Sequence, residues 1–381
     1  LKKLCKDRLA TLRASDPQAK LAAVQLDVAR AYGFASWRKL KAHVEALQPN
    51  AAVVPAVAPD DPDLVRLLAA AQDGDVAALT EVLERRPELV NAKGRDHQTA
   101  LHAGVASNDP SVVDALIQRG ANPELRYDKS GHTALSWATV WNSPAYAQAL
   151  VRHGSKPDLF TAAGMGLLAE VQAYFDEHGQ LRPGAVQTGS TRYGTDGAIL
   201  PCPPESAVEQ VSDAFYMACR NAHADVARFL LTRGADLSFK AFMGGTPLHW
   251  AYFGGDSAIV AMLEQAGADT AARDDVMHCT PRAFGICAPA NWGIPNMVRQ
   301  RLAADPSLAR LMDGRTSALH EAARSGNAEV VVVLLTGGAD PRLPDGDGKS
   351  ALDIATERGH ARIAEVLARV ITVLEQREQP K

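Results

Sequence analysis

One short phrase recurs along the chain, and it constrains the fold more tightly than any other feature. It occurs as Gln98-Thr99-Ala100-Leu101-His102-Ala103, His132-Thr133-Ala134-Leu135-Ser136-Trp137-Ala138, Gly245-Thr246-Pro247-Leu248-His249-Trp250-Ala251, Thr316-Ser317-Ala318-Leu319-His320-Glu321-Ala322 and Lys349-Ser350-Ala351-Leu352-Asp353-Ile354-Ala355. A second apolar helical pattern follows each copy, as in Val330 to Leu335, and several copies then carry Gly-Ala-Asn or Gly-Ala-Asp, at Gly120, Gly234, Gly267 and Gly338. Such periodicity means a supersecondary unit that cannot bury its apolar face alone and must stack on copies of itself. The predicted unit is two antiparallel helices and a turn. Thr stands where a helix begins and its hydroxyl can cap free N–H groups, Pro or Ala suits the first turn, and Gly supplies a left-handed C-cap.

With the leucine of each phrase as a ruler, the register runs Leu67, Leu101, Leu135, Leu159, Phe215, Leu248, Arg282, Leu319 and Leu352, in steps of 34, 34, 24, 56, 33, 34, 37 and 33. This pattern resembles the ankyrin repeat, whose period is about 33 residues. The resemblance implies an all-α solenoid of about nine repeats including degenerate caps, and it implies that His102, His249 and His320 hydrogen-bond between adjacent hairpins.

The departures from the period are informative. The step of 24 leaves no room for an extended hairpin after Gly154, so a tight connection and a change of curvature are expected there. The step of 56 places an insertion at about 179–210, rich in Gly, Pro, Ser and Thr. A long loop within a compact array is either functional or disordered. Residues 63–371 are therefore read as the array, 51–62 as a Pro/Ala-rich linker, 1–50 as an N-terminal helical segment, and 372–381 as a polar tail after a terminal helix. The segment from Gln25 to Glu45 resembles the helical piece that precedes the repeats in many bacterial ankyrin-repeat proteins. In it, two helices would pack Leu26, Ala29, Phe34, Trp37, Leu40 and Val44 together.

Charge narrows the function classes. Forty Lys and Arg against 44 Asp and Glu give a net charge of −4, so nucleic acid is not an expected partner. The longest aliphatic run, Val330 to Leu335, is far below the roughly 18 residues of a membrane span, and no membrane contact is expected. Five scattered cysteines without a C-x-x-C pair read as reduced thiols of a cytoplasmic protein, although the absent initiator Met suggests a trimmed N-terminus and leaves export open. A monomer is expected.

Motifs for chemistry are missing. His320-Glu321 opens like a zinc-protease helix, but residue 324 is Arg. Gly348-Lys349-Ser350 ends like a phosphate-binding loop, but the earlier glycine is Leu343. Gly164-x-Gly166-x-x-Ala169 follows a helical phrase rather than a strand. No metal and no cofactor are expected.

What remains is a surface. In the implied architecture, hairpin tips and the ends of the first helices line a concave face. Trp141, Phe242, Met243, Phe253 and Met277 are expected to form an apolar patch there, flanked by Arg220 and Arg324, which is the composition of an interaction hot spot. His132 stands at a hairpin tip; Arg282, at a leucine position, is read as irregular or as reaching the groove with Cys287 and Trp292. The first reading of function is a non-catalytic scaffold that binds an unknown protein partner through this face. The alternative is a small-molecule site or enzyme, its pocket closed by the 179–210 insertion, with polar groups from His132, Tyr193, Tyr216, Arg220 or Arg282. The insertion could also simply cover the patch.

Overall fold

The helix start signals of the repeated phrase are used as helix starts. The computed structural model describes Leu9 and residues 20–31, 36–38, 57–127, 131–182 and 206–378. Helix α1 (Leu21–Ala31) belongs to the N-terminal segment and buries Val24, Val28 and Ala29. Phe34, Leu40 and Val44 lie outside the described residues.

Among the described residues nine helix pairs then follow. They are α2 (Pro62–Asp73) with α3 (Val76–Arg85), α4 (Ala100–Ala103) with α5 (Pro110–Gln118), and α6 (Ala134–Val140) with α7 (Pro144–Arg152). Next come α8 (Leu159–Gly164) with α9 (Leu168–Ala173), α10 (Ala207–Arg220) with α11 (Ala224–Thr232), and α12 (Pro247–Gly254) with α13 (Ser257–Gln265). The array ends with α14 (Pro281–Asn291) and α15 (Pro295–Ala304), α16 (Ala318–Ser325) and α17 (Ala328–Thr336), and α18 (Ala351–Glu357) and α19 (Ala361–Glu378). No sheet forms among the described residues, where pairing is limited to two isolated bridges, Phe175 with Leu181 and Pro344 with Ser350. Helix α19 continues to Glu378 through most of the expected polar tail.

The first helix of each pair stacks on its counterpart in the next pair, and the stack is sewn together by histidine. In α12 the Nδ1 of His249 accepts from the Thr246 N–H at 3.1 Å and lies 2.8 Å from its hydroxyl, while Nε2 donates to the Cys279 carbonyl of the next finger at 3.1 Å. His102 repeats the arrangement toward the His132 carbonyl and His320 toward that of Leu343. Only a neutral ring can do this, because Nδ1 must keep its lone pair.

Burial holds the histidines in that form. It lowers the pKa of His249, His320 and His223, and it pulls His132 down to about 3, the nearby His102 and Arg126 adding to the shift. Since the folded pKa lies below the unfolded one, the stabilisation is complete above about 6.5 and is lost as pH falls below it. His132 alone should cost about 2 kcal/mol between pH 6.5 and 5. Urea-unfolding midpoints should be flat from pH 8 to 7 and drop steeply by pH 5; equal midpoints at pH 7 and 5 would show that these rings are hydrated.

One junction is unlike the rest. Residues 153–158 alone connect α7 to α8, with no extended finger, as the step of 24 requires. One apolar core closes at Leu150 and the next begins at Leu159. Between them the buried side chains include Ser136, Thr139, Ser143, Ser155, Asp158 and Thr161, and the Ser155 hydroxyl has no hydrogen-bond partner. Bonds from α10 bridge this seam: Asn221 Nδ2 donates to the Thr139 carbonyl at 3.0 Å and to the Gly164 carbonyl at 2.8 Å. The bridge works because Gly164 has no side chain. A Cβ there would stand 2.3 Å from Thr139 Cγ2 and 2.5 Å from Met217 Cγ.

The expected insertion starts after a turn at Asp176–Gln180, where the Asp176 carboxylate accepts from the His178 and Gln180 N–H groups. It ends earlier than the expected 210, at Ser206, which caps α10 in a box with Glu209, so that 207–210 are helical. Residues 183–205, Tyr193 among them, lie outside the described residues.

Candidate functional site

The C-terminal ends of the first, inner helix of successive pairs meet one another along the stack, where Arg220 reaches Val140, Phe253 lies under Arg220 and Trp292 packs on Phe253, so that these ends form a row. Trp141 ends α6, Arg220 ends α10, Phe253 stands in the last turn of α12, Trp292 ends α14, and Arg324 stands in the last turn of α16.

Trp141 is 60% exposed. Its ring meets Trp137 edge-on at 6.1 Å, and Trp137 stacks on Tyr127 at 5.7 Å with planes 14° apart. The three rings rise from two neighbouring turns of one helix and the finger before it. Beside them is a cleft of about 170 Å³ floored by Ala103 and Ala106 and edged by Gln72, Gln98 and His102. A second cleft of about 170 Å³ lies at the seam, between Asn142–Gln148, Gly164–Met165, Asn221 and His223.

Arg220 is the centre of the row. One guanidinium nitrogen, Nη1, donates to the Val140 carbonyl, the last of α6, and lies 3.4 Å from Asn221 Oδ1. The guanidinium carbon is 5.4 Å from the Trp250 ring and 5.3 Å from that of Phe253, within cation–π range. Desolvation among these rings pulls its pKa down to about 10, opposed by nearby Tyr216. Trp250, fully buried, packs against Tyr216, Phe242, Phe253, Phe284 and Trp292, and its Nε1 has no hydrogen-bond partner.

Several expected surface residues are core residues instead. Met243, Phe253 and Met277 are buried in the cluster that holds Trp250 and Phe284, and Phe242 is half-buried against Trp250 and Trp292. The reason at the finger tip is local. The Asp274 carboxylate accepts from the N–H groups of Val276, Met277 and Cys279, and that turn sends Met277 inward and leaves Val276 60% exposed. His132 is also fully buried, its Nδ1 against the Ser136 hydroxyl and its ring near Trp137 and Phe160.

The arginines separate as well. Arg324 is bound to Glu321 at 2.6 Å and lies 3.5 Å from Asp345, and both carboxylates are buried, so its charge is balanced inside the protein. Arg282 does not reach the groove. It is exposed, pairs with Asp305 at 2.7 Å, and bonds to Ser307. It starts α14, whereas Trp292 caps the other end of that helix, roughly 15 Å away at 1.5 Å per residue. Cys287 is buried beside Cys279, and both carry free thiols.

Trp137, Tyr127 and Trp250 were absent from the expected patch. Trp137 and Trp250 were nonetheless legible as bulky aromatics directly after the Leu-Ser and Leu-His of the phrase. Among the described residues no cluster of His, Cys, Asp and Glu could hold a metal ion, and no helix is long and apolar enough to cross a membrane.

Comparison with known proteins agrees with the geometry. Over 70 residues, 18% of this chain, it is 43% identical to the E3 ubiquitin-protein ligase hecd-1 of Caenorhabditis elegans, and over 146 residues, 37% of the chain, it is 29% identical to the neurogenic locus notch homolog protein 1 of Xenopus laevis. These matches span 3% and 6% of those much longer proteins, so the likeness is to a part of each. A family model described as ankyrin repeats in three copies matches residues 67–161, 200–274 and 286–374, more than half of the sequence, and with the nine stacked helix pairs it shows that the chain belongs to the ankyrin-repeat family.

Proposed function

We propose that the chain binds a protein partner along the row of inner-helix ends, with the exposed Trp141 as a principal contact. The observation that carries this reading is the exposure of a tryptophan on a rigid stack, backed by Trp137 and Tyr127 and standing next to the Val140–Arg220 contact. Tryptophan, tyrosine and arginine supply most hot-spot energy at protein interfaces, and a large apolar ring left mostly in water marks a contact site. Stacked repeats present such surfaces on a long, rigid frame. The cleft beside Trp141, at about 170 Å³, is smaller than the roughly 300–1,000 Å³ of small-molecule pockets, so this ring suits an extended partner better than an enclosed ligand.

The test is photo-crosslinking. A benzophenone amino acid placed at position 141 should capture one partner reproducibly, and the same probe at Val332, exposed on the outer helix α17, should not. Trp141→Ala should weaken that partner's binding at least about tenfold and leave the unfolding midpoint unchanged. Capture at 332 in preference to 141, or binding indifferent to Trp141→Ala, would overturn the reading.

A further inference from the structure

The two arginines of the row differ in one respect that bears on what the face recognises. Arg324 is balanced by Glu321 and Asp345. Arg220 has no carboxylate within ion-pair distance among the described residues, and the influences on its charge are burial and Tyr216 alone. Its bonds to the Val140 carbonyl and Asn221 both use Nη1. The residue is part-exposed, and among the described residues Nε and Nη2 make no hydrogen bond, which leaves that edge of the guanidinium with donors to offer.

A guanidinium held against two rings is positioned in advance. The Nε and Nη2 donors form the fork that a carboxylate accepts in a bidentate pair, the strongest and most directional of the charge-assisted hydrogen bonds. The rings on either side lower the local dielectric and strengthen the pairing. Trp141 adjoins the Val140 carbonyl that Arg220 grips, and Trp292 stands 5.2 Å from Phe253, the ring under the same guanidinium. Trp141 and Trp292 are thus each one contact removed from the guanidinium.

Resting on the concave-face reading above, we propose that Arg220 is the anchor for a carboxylate of the partner: the partner offers an acidic segment in which one Asp or Glu pairs with the free edge of Arg220 while apolar side chains beside it settle on Trp141 and Trp292.

The experiment is selection of random dodecapeptides displayed on phage against the full chain, followed by synthesis of an enriched peptide and titration by calorimetry. Enriched peptides should share an Asp or Glu with an aromatic or aliphatic residue nearby, and replacing that carboxylate with its amide should weaken binding to the wild-type chain about tenfold or more. Affinity should fall with added salt. Against Arg220→Met, selection should lose the acidic position and keep the apolar ones, with Arg220→Lys intermediate.

Arg220→Met also removes the bond to Val140, so circular dichroism must show it folded. If it is not, the carboxylate-to-amide comparison on the wild-type chain decides. Peptides without an acidic position that still lose binding on Trp141→Ala would overturn the Arg220 proposal and leave the concave face standing. Peptides indifferent to both Trp141→Ala and Arg220→Met, or no enrichment at all, would overturn both.

Discussion

Trp250→Ala is expected to remove about 3–5 kcal/mol of stability, the cost of deleting a fully buried large aromatic and leaving a cavity. The ring touches Tyr216, Phe242, Phe253, Phe284 and Trp292, residues of three successive inner helices and one finger, so its loss disconnects neighbours as well as emptying space. A chain of this kind is stabilised largely by contacts between adjacent repeats, and the loss should therefore spread along it. Trp250→Phe should cost far less, under about 1.5 kcal/mol, since the apolar character is kept. The indole N–H makes no hydrogen bond here, so nothing polar is lost with it. Urea melts of both variants measure the difference. A Trp250→Ala midpoint within experimental error of wild type would mean the cluster is not a core.

Gly254→Ala should be the second large effect, in the direction opposite to what helix propensity gives. Alanine in a helix interior is favoured over glycine by about 1 kcal/mol. Here a Cβ would lie 2.7 Å from the carbonyl oxygens of both Cys219 and Arg220, and backbone atoms cannot swing aside as a side chain could. Helices α10 and α12 must separate, an overpacking cost of about 1–3 kcal/mol that outweighs the propensity gain. The displacement falls where Arg220 contacts Phe253, so binding through that face should weaken along with stability. If Gly254→Ala raises the unfolding midpoint, the helices are farther apart than described.

The sequence carried most of the architecture because each repeat states its own helix starts. The histidine bridges came with the resemblance to the ankyrin repeat, and the short connection after Arg152 was legible where the phrase returns ten residues early. Side-chain direction at the finger tips was not. Met277 and Val276 are adjacent apolar residues, and which one turns inward depends on three N–H groups gathered by Asp274. Phe253 fits the register of an exposed helix end; its burial arises from Trp250 and Trp292, the second contributed by the next repeat. Arg282 read as an irregularity or as reaching the groove, and the turn at Asp305 holds it on the outside instead. These are contacts between repeats, and a periodic pattern states what lies within one repeat more fully than what meets across two.

The polar seam at residues 153–158 gives the array a joint. Elsewhere the repeats meet through apolar side chains, whereas here hydroxyls and carbonyls carry much of the contact between the two sides. Trp141 rides on the block before the joint and Arg220 on the block after it, with the Arg220–Val140 bond as a strap between them. On the proposed reading, a partner that grips the indole and the guanidinium together would span both blocks and reinforce the strap between them.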